Sequence, residues 1–157
     1  MKNSIHNIES FDITGKGFDK KIEQMVRVCH MEPLKKTEAY ILKVCGFPIK
    51  LHVSLKSSWR PKWWEKLKKR SGFSEHTYSF MGATDITCDD FSENWNTLLD
   101  ALIACTSYTR LAIYHTSWVD KNGKEHKGGF IHGDYKNDYN DSFVYNSKWV
   151  RQYKIYR

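Results

Sequence analysis

Apolar residues in the first third of the chain recur at helical spacing and predict two helices. The first spans residues 18–30, where Asp19 can cap the first turn. Its apolar face consists of Ile22, Met25, Val26 and Cys29. The second is predicted to start at Pro33, because proline suits the first helical turn. It is predicted to end at Gly46, because glycine readily adopts the left-handed conformation that closes a helix.

The most regular helical pattern lies further along the chain, in residues 91–107. Its apolar stripe consists of Trp95, Leu98, Leu99, Leu102 and Ile103. Ser92 stands where a hydroxyl can accept a hydrogen bond from the first turn, so we expect it to cap this helix. Residues 60–70 are predicted to form a loop followed by a short helix.

Alternation between apolar and polar residues predicts several strands. Residues 49–56 alternate strictly, which is typical of a half-buried strand. Its predicted apolar face consists of Ile49, Leu51, Val53 and Leu55, and its polar face of Lys50, His52, Ser54 and Lys56. Shorter strands are predicted at residues 110–115 and 129–135, with a hairpin that turns at Asn122–Gly123.

The order of these elements predicts the fold class. The aromatic tail, residues 142–156, is typical of edge strands. Because helices come first and antiparallel strands dominate later, we expect an α+β fold with N-terminal helices packed on a small, mainly antiparallel sheet. The length of 157 residues suits a single domain.

Composition narrows where the chain is expected to act. No apolar run is long enough to span a membrane, and residues 1–21 contain no apolar stretch typical of a signal peptide. We therefore expect the chain to be made in the cytoplasm without a signal peptide.

The net charge of +7 is concentrated before residue 71, most clearly in the Trp-rich segment 57–70. Such a segment can bind nucleic acid through phosphate contacts and stacking, or another polyanion such as a bacterial wall polymer. A solvated lysine face on a helix is the alternative. At least one of Trp59, Trp63 and Trp64 is expected to pack into the core.

Three residues have side chains suited to binding zinc. His76 and Asp85 lie on one connecting segment that leads into a strand, and His132 lies in the middle of a later strand. A hydrolytic zinc site needs three protein ligands and one open position for water. Asp134 shares a strand face with His132 and could orient it or act on the water. Spacing alone also allows His76 to be a surface loop residue and Asp85 a turn residue. His6, His30 and His126 are predicted to lie at the surface.

Four stretches resemble, in the same order, the family of zinc D-Ala-D-Ala carboxypeptidases and L-alanyl-D-glutamate endopeptidases. Residues 32–61, ending in Ser58-Trp59-Arg60-Pro61, resemble its helix, strand and Ser-Gly-Tyr-Arg-Ser-Pro segment. Residues 74–86, SEHTYSFMGATDI, resemble its Ser-x-His-x-x-Gly-x-Ala-x-Asp-Ile motif. Residues 98–115 resemble the helix and strand that follow, and GGFIHGDYK, residues 128–136, resembles the strand with the last ligand.

The resemblance implies a zinc ion, Zn2+, held by His76, Asp85 and His132, with Arg60 beside it to hold a substrate carboxylate or carbonyl. It implies hydrolysis of the peptide stems of bacterial peptidoglycan by a phage-type lysis enzyme, acting at the cell wall after release or carried in a virion. It also implies one Hedgehog- and peptidase-like domain over residues 1–157. Its expected parts are a helical part at about 1–46, a metal-site core at about 47–136 and C-terminal aromatic strands at about 137–157.

The chain departs from the family pattern in two places. The gap between His76 and Asp85 is longer than usual. The acid or histidine that many members carry just before the last ligand is missing from residues 127–131. Asp134, His115 and Glu125 are therefore the candidates for the group that handles protons.

Two other function classes compete with the hydrolase. The pairs His52/Ser54 and His115/Ser117 are similar to the two His-x-Ser motifs of 2H phosphodiesterases, which need no metal. Alternatively, the domain is catalytically inactive and binds cell wall or nucleic acid through residues 57–70.

Overall fold

The computed structural model describes residues 3–114, 117–119, 122–136, 143–144 and 147–150. Helix α1, Lys20–Val26, continues through a π-helical turn into α2, Glu32–Cys45. Helix α3 spans Lys62–Leu67, and α4 spans Phe91–Cys105. The strands are β1 Leu51–Val53, β2 Ala83–Cys88, β3 Arg110–Tyr114, β4 Ser117–Val119, β5 Glu125–Lys127, β6 Phe130–Asp134, β7 Phe143–Val144 and β8 Ser147–Val150.

The predicted cap at the start of the first helix and the predicted end of the second helix are confirmed, but the junction between the two helices differs from the prediction. Asp19 caps α1 by accepting a hydrogen bond from the Ile22 amide at 2.8 Å, and Gly46 closes α2 with a φ of 78°. The helix containing Pro33 begins one residue earlier and is joined to α1 without a break. Pro33 has no N–H for the Cys29 carbonyl four residues back. That carbonyl instead accepts a hydrogen bond from the Tyr135 hydroxyl.

Helix α4 confirms the predicted apolar stripe but not the predicted cap. Leu98, Leu99 and Leu102 are buried, with Trp95 and Ile103 packed at the edge of the core. The residue before the helix is Asp90 rather than Ser92, and its side chain makes no cap hydrogen bond. Ser92 is wrong as the cap because the helix already begins at Phe91.

Within the described residues, six strands form one antiparallel sheet in the order β1-β2-β6-β3-β8-β7, and β4 pairs with β5 in a separate hairpin. The α+β class is therefore confirmed. Ile86, Ile131 and Ile113 are paired side by side across β2, β6 and β3. This isoleucine row packs in the core with Leu98 and Leu102 of α4. Because side chains alternate along a strand, the residues next to this row point to the opposite face of the sheet.

The predicted strand at residues 49–56 is shorter than the alternation suggests. Ile49, Leu51 and Val53 are buried as predicted, but Leu55 is 83% exposed. The chain leaves the strand after Val53 and forms a short 3-10 turn in which Leu55 has a left-handed φ of 52°. This turn carries Leu55 away from the core, so its prediction as a core residue is wrong.

His30 lies in the core, and the prediction that it is a surface residue is wrong. Its Nε2–H donates to the Met81 carbonyl at 2.8 Å, so Nδ1 accepts from the Tyr108 hydroxyl, also at 2.8 Å. The rings of Tyr78 and Tyr135 complete its surroundings. Burial lowers the pKa of His30 to about 3.

This burial predicts a loss of stability in acid. Below about pH 6.5 the unfolded chain protonates His30, while the folded protein does so only near pH 3, so acid favours unfolding. In the metal-free protein, His30 should lower the free energy of unfolding by about 1.4 kcal/mol per pH unit between pH 6 and 4.5. Urea unfolding over this range should give a flatter profile for His30→Gln than for the unmodified chain. Parallel profiles would contradict this assignment.

Candidate metal centre

The three predicted zinc ligands come together on the face of the sheet opposite the isoleucine row. Asp85 of β2 is paired directly with His132 of β6, so the strand register places them side by side. His132 Nδ1 lies 2.9 Å from Asp85 Oδ1 and 3.1 Å from His76 Nε2, and His76 Nε2 lies 3.3 Å from Asp85 Oδ1. All three residues are buried and could together hold a metal ion. The alternative of a surface loop position for His76 is therefore wrong.

The segment that brings His76 into this group is held by local hydrogen bonds. Ser74 accepts a hydrogen bond from the His76 amide at 3.2 Å, and Arg60 donates its amide to the His76 carbonyl at 2.7 Å. The chain then reverses at Tyr78, which has a φ of 58°, and reaches Gly82, which has a φ of 82°. A Cβ on Gly82 would lie 2.6 Å from the Tyr78 ring, so only glycine fits here.

Outer hydrogen bonds fix which ring nitrogens face the centre. His76 Nδ1–H donates to the Ser58 carbonyl at 2.9 Å, and His132 Nε2–H donates to Asp134 Oδ2 at 2.9 Å. In the neutral rings the two inner nitrogens therefore carry lone pairs that face Asp85 Oδ1. The three inner atoms repel one another unless a cation or proton lies among them.

The spacing of the inner atoms fits a metal ion. Ligand atoms at 2.0–2.1 Å from a tetrahedral zinc ion are about 3.3 Å apart. The observed separations of 2.9–3.3 Å are close to this value. Two imidazoles and one carboxylate are also a donor set that zinc accepts.

The pKa values of these residues also indicate that the group favours a bound positive charge. Burial alone would raise the pKa of Asp85, but His76 and His132 outweigh it and hold that pKa well below its usual value. Burial opposes protonation of His132, yet its hydrogen bonds to Asp134 and Asp85 raise its pKa to about 9. Burial lowers the pKa of His76. Without a metal, the group thus draws a proton onto His132.

Asp134 supports His132 from behind. Its carboxylate accepts two hydrogen bonds from Arg110, at 2.9 and 2.7 Å, and one from the Lys136 amide at 3.0 Å. Asp134 is fully buried. These contacts favour the role of orienting His132, one of the two roles considered for Asp134, because its oxygens are directed at protein donors. The Ser57 hydroxyl supports Asp85 in a similar way, donating to Oδ2 at 2.7 Å.

A cavity of about 440 Å³ opens over the three inner atoms. It is lined by Ile13, Ser54, Leu55, Ser57, Arg60, Trp64, Arg70, Ser74, His76, Asp85, Tyr114, Phe130 and His132. Arg60, predicted to lie beside the metal, is therefore on the wall of the same cavity. Its Nη2 donates to Ser74 Oγ at 3.3 Å, and its Nε lies 3.5 Å from Glu65 Oε2. Arg70 approaches the same Glu65 oxygen at 3.1 Å.

Several supporting residues were not predicted from the sequence. Glu65 is buried in a lysine-rich helix whose pattern suggests a solvated face, and it places two arginines at the cavity. Ser57 and Ser58 lie within the Ser-Ser-Trp-Arg-Pro segment that carries the family resemblance, and this was the only available signal for them. No sequence signal points to Arg110, because its role depends on the pairing of Arg110 with Asp134 across two strands.

Part of the evidence on the alternatives lies outside the described residues. His115 lies outside them, as do the side chains of Glu125, His126 and Ser117. His52 is buried and its Nε2 pairs with Asp89 at 2.9 Å. The phosphodiesterase alternative therefore stays a prediction.

The three tryptophans of residues 57–70 differ in their surroundings. Trp59 packs against the core and against Phe18, with 5.3 Å between ring centroids. Trp64 lines the cavity, and Trp63 is 47% exposed beneath the ammonium group of Lys16. The prediction that at least one of them packs into the core is thus confirmed for Trp59.

Comparison with protein-family models, with curated proteins and with solved structures gives no match for this chain. The family resemblance therefore stays a prediction from its motifs. None of the helices in the described ranges has the length and hydropathy that crossing a bilayer requires.

Proposed function

We propose that this protein is a zinc-dependent peptidase that hydrolyses an amide bond in the peptide stems of bacterial peptidoglycan. The observation that carries the proposal is the convergence of His76 Nε2, His132 Nδ1 and Asp85 Oδ1 at one point beneath an open cavity. Three protein donors with an accessible remaining side are what a hydrolytic zinc site requires, whereas a structural zinc site is closed by four.

Each residue around the centre has a defined task in this proposal. His76, Asp85 and His132 would hold the metal, and Asp134 and Ser57 fix the orientation of His132 and Asp85. When bound, zinc polarises the scissile carbonyl and lowers the pKa of water to about 7. Arg60 presents its guanidinium to a carboxylate or carbonyl of the substrate, with the bidentate geometry that arginine favours.

The charge of the cavity wall supports an anionic substrate. Arg60 and Arg70 share the single carboxylate of Glu65, so this wall carries a net positive charge. Peptidoglycan stems carry free carboxylates, and the net charge of +7 favours approach to an anionic wall. Together with the motif resemblance, this supports a lysis enzyme that reaches the wall after release or within a virion.

Metal removal and wall digestion test the proposal together. Protein purified without added zinc should contain about one equivalent by elemental analysis and should release soluble peptides from purified peptidoglycan. A strong chelator should abolish this release, and added zinc should restore it. Absence of both zinc and release would contradict the proposal. Chelator-resistant hydrolysis of a phosphodiester such as bis(p-nitrophenyl) phosphate would instead support the phosphodiesterase alternative.

A second candidate, wall binding without catalysis, is favoured by one observation. Among the described residues that line the cavity, the only carboxylate belongs to Asp85, which is already in the ligand group. Zinc-loaded protein that sediments with peptidoglycan but releases no peptides would favour this candidate.

A further inference from the structure

Hydrolysis of an amide requires an acid that the ligand group does not provide. The leaving nitrogen must receive a proton as the C–N bond breaks, because an amine anion is too basic to depart. Asp134 is directed at protein donors, and Asp85 belongs to the ligand group. We propose that the phenol of Tyr114 is this acid and therefore a catalytic residue of the site. This inference rests on the proposed function.

The strand register places Tyr114 on the same face of the sheet as the ligands. Ala112 of β3 is paired with His132, which is paired with Asp85 on its other side. Tyr114 lies two residues beyond Ala112 and is paired with Phe130. Because residues two apart on a strand share a face, the phenol lies on the face that carries His132. It lines the same cavity as the three ligands.

Packing holds the Tyr114 ring in a defined position. Its ring stacks on that of Phe130, with 4.4 Å between centroids and 16° between planes. Such stacking restricts the motion of the ring. The β3 residue that is paired with His132 is Ala112, whose side chain is small. No large side chain of β3 therefore lies between the Tyr114 phenol and the three ligands.

Arg60 supplies the charge that this role needs. Burial lowers the pKa of Arg60, whereas the charge of Asp85 acts in the opposite direction. The Tyr114 phenol and the Arg60 guanidinium line the same cavity. A phenolate left after proton donation would therefore be stabilised by Arg60.

The proposed step is balanced in atoms and electrons. A bond forms between the water oxygen and the carbonyl carbon, and the C–N bond breaks with its electron pair passing to nitrogen. Nitrogen takes the Tyr114 phenolic proton, and the phenolate recovers the proton that the attacking water releases. The net reaction consumes one water and yields a carboxylic acid and an amine.

Tyr114→Phe tests this role because it retains the ring on Phe130 and removes only the hydroxyl. We expect unchanged zinc content, a nearly unchanged KM for a peptidoglycan stem peptide and a kcat about 100-fold lower. A second readout is the binding of acetohydroxamate to the zinc-loaded protein, measured by calorimetry. Its affinity should fall about tenfold, because the variant lacks the hydroxyl that would hydrogen-bond to the hydroxamate. Tyr40→Phe, on the exposed side of α2, is the matched control and should change neither value.

The outcomes separate this inference from the proposed function. If the unmodified chain hydrolyses stem peptides and Tyr114→Phe retains both kcat and acetohydroxamate affinity, the role of Tyr114 is wrong and the function stands. If the unmodified chain binds zinc and acetohydroxamate but cleaves no stem peptide, the function is wrong. The calorimetric difference then still decides whether Tyr114 reaches the reacting position. If the unmodified chain binds no zinc, both are wrong.

Discussion

His132→Ala is expected to reduce bound zinc from about one equivalent to near zero and hydrolysis by at least about 1000-fold. The substitution removes one of three inner donor atoms, and it also leaves Asp134 without the ring that it orients. His76 and Asp85 alone cannot complete a hydrolytic zinc site, which needs three protein donors. Elemental analysis of the purified variant and release of peptides from peptidoglycan measure the two effects.

A folding defect must be separated from the loss of metal. Zinc should raise the melting temperature of the unmodified chain, because a ligand that binds only the folded state stabilises it, and should not raise that of His132→Ala. His6→Ala is the matched control, because His6 is exposed and contacts Glu38, away from the cavity. It should retain zinc and activity. Stoichiometric zinc in folded His132→Ala would show that the ligand set is wrong.

The convergence of His76, Asp85 and His132 was easier to predict from the sequence than the residues that support them, for a physical reason. His132 lies on a strand that local alternation predicted, whereas Asp85 was placed on a segment leading into a strand and in the structure lies within β2. The order of the motifs suggested that the two residues meet. The side-by-side pairing of the two residues depends on strand register, which the alternation alone does not determine. Arg110 illustrates the limit, since its contact with Asp134 follows only from the pairing of β3 with β6.

Local patterns also failed where tertiary structure overrides them. Alternation continues to Leu55, but the chain turns after Val53 and exposes it. The helical pattern around His30 carries no sign of its depth, because the Tyr108 and Tyr78 rings that bury it come from distant segments. By contrast, the cap at Asp19 depends on hydrogen bonds within one turn, and this prediction was confirmed.

Asp134→Asn is expected to weaken zinc binding about 10- to 100-fold and to lower the free energy of unfolding by about 3 kcal/mol. His132 Nε2–H now donates to the Asp134 carboxylate, whose negative charge makes the ring a stronger metal ligand. A neutral amide lacks this charge, so zinc affinity falls. Stability falls because Arg110 loses a bidentate partner that is fully buried. Competition with a chelator of known affinity measures the first effect, and urea unfolding of the metal-free protein measures the second.

Arg110→Gln separates these two effects. It breaks the same ion pair but leaves the charge of Asp134 on His132, so stability should fall by a similar amount while zinc affinity changes much less. Two variants with equal losses of zinc affinity would mean that Asp134 acts only through the stability of the fold. A larger loss of zinc affinity in Asp134→Asn than in Arg110→Gln would show that the carboxylate acts directly on the ligand, as the contact between His132 Nε2 and Asp134 Oδ2 implies.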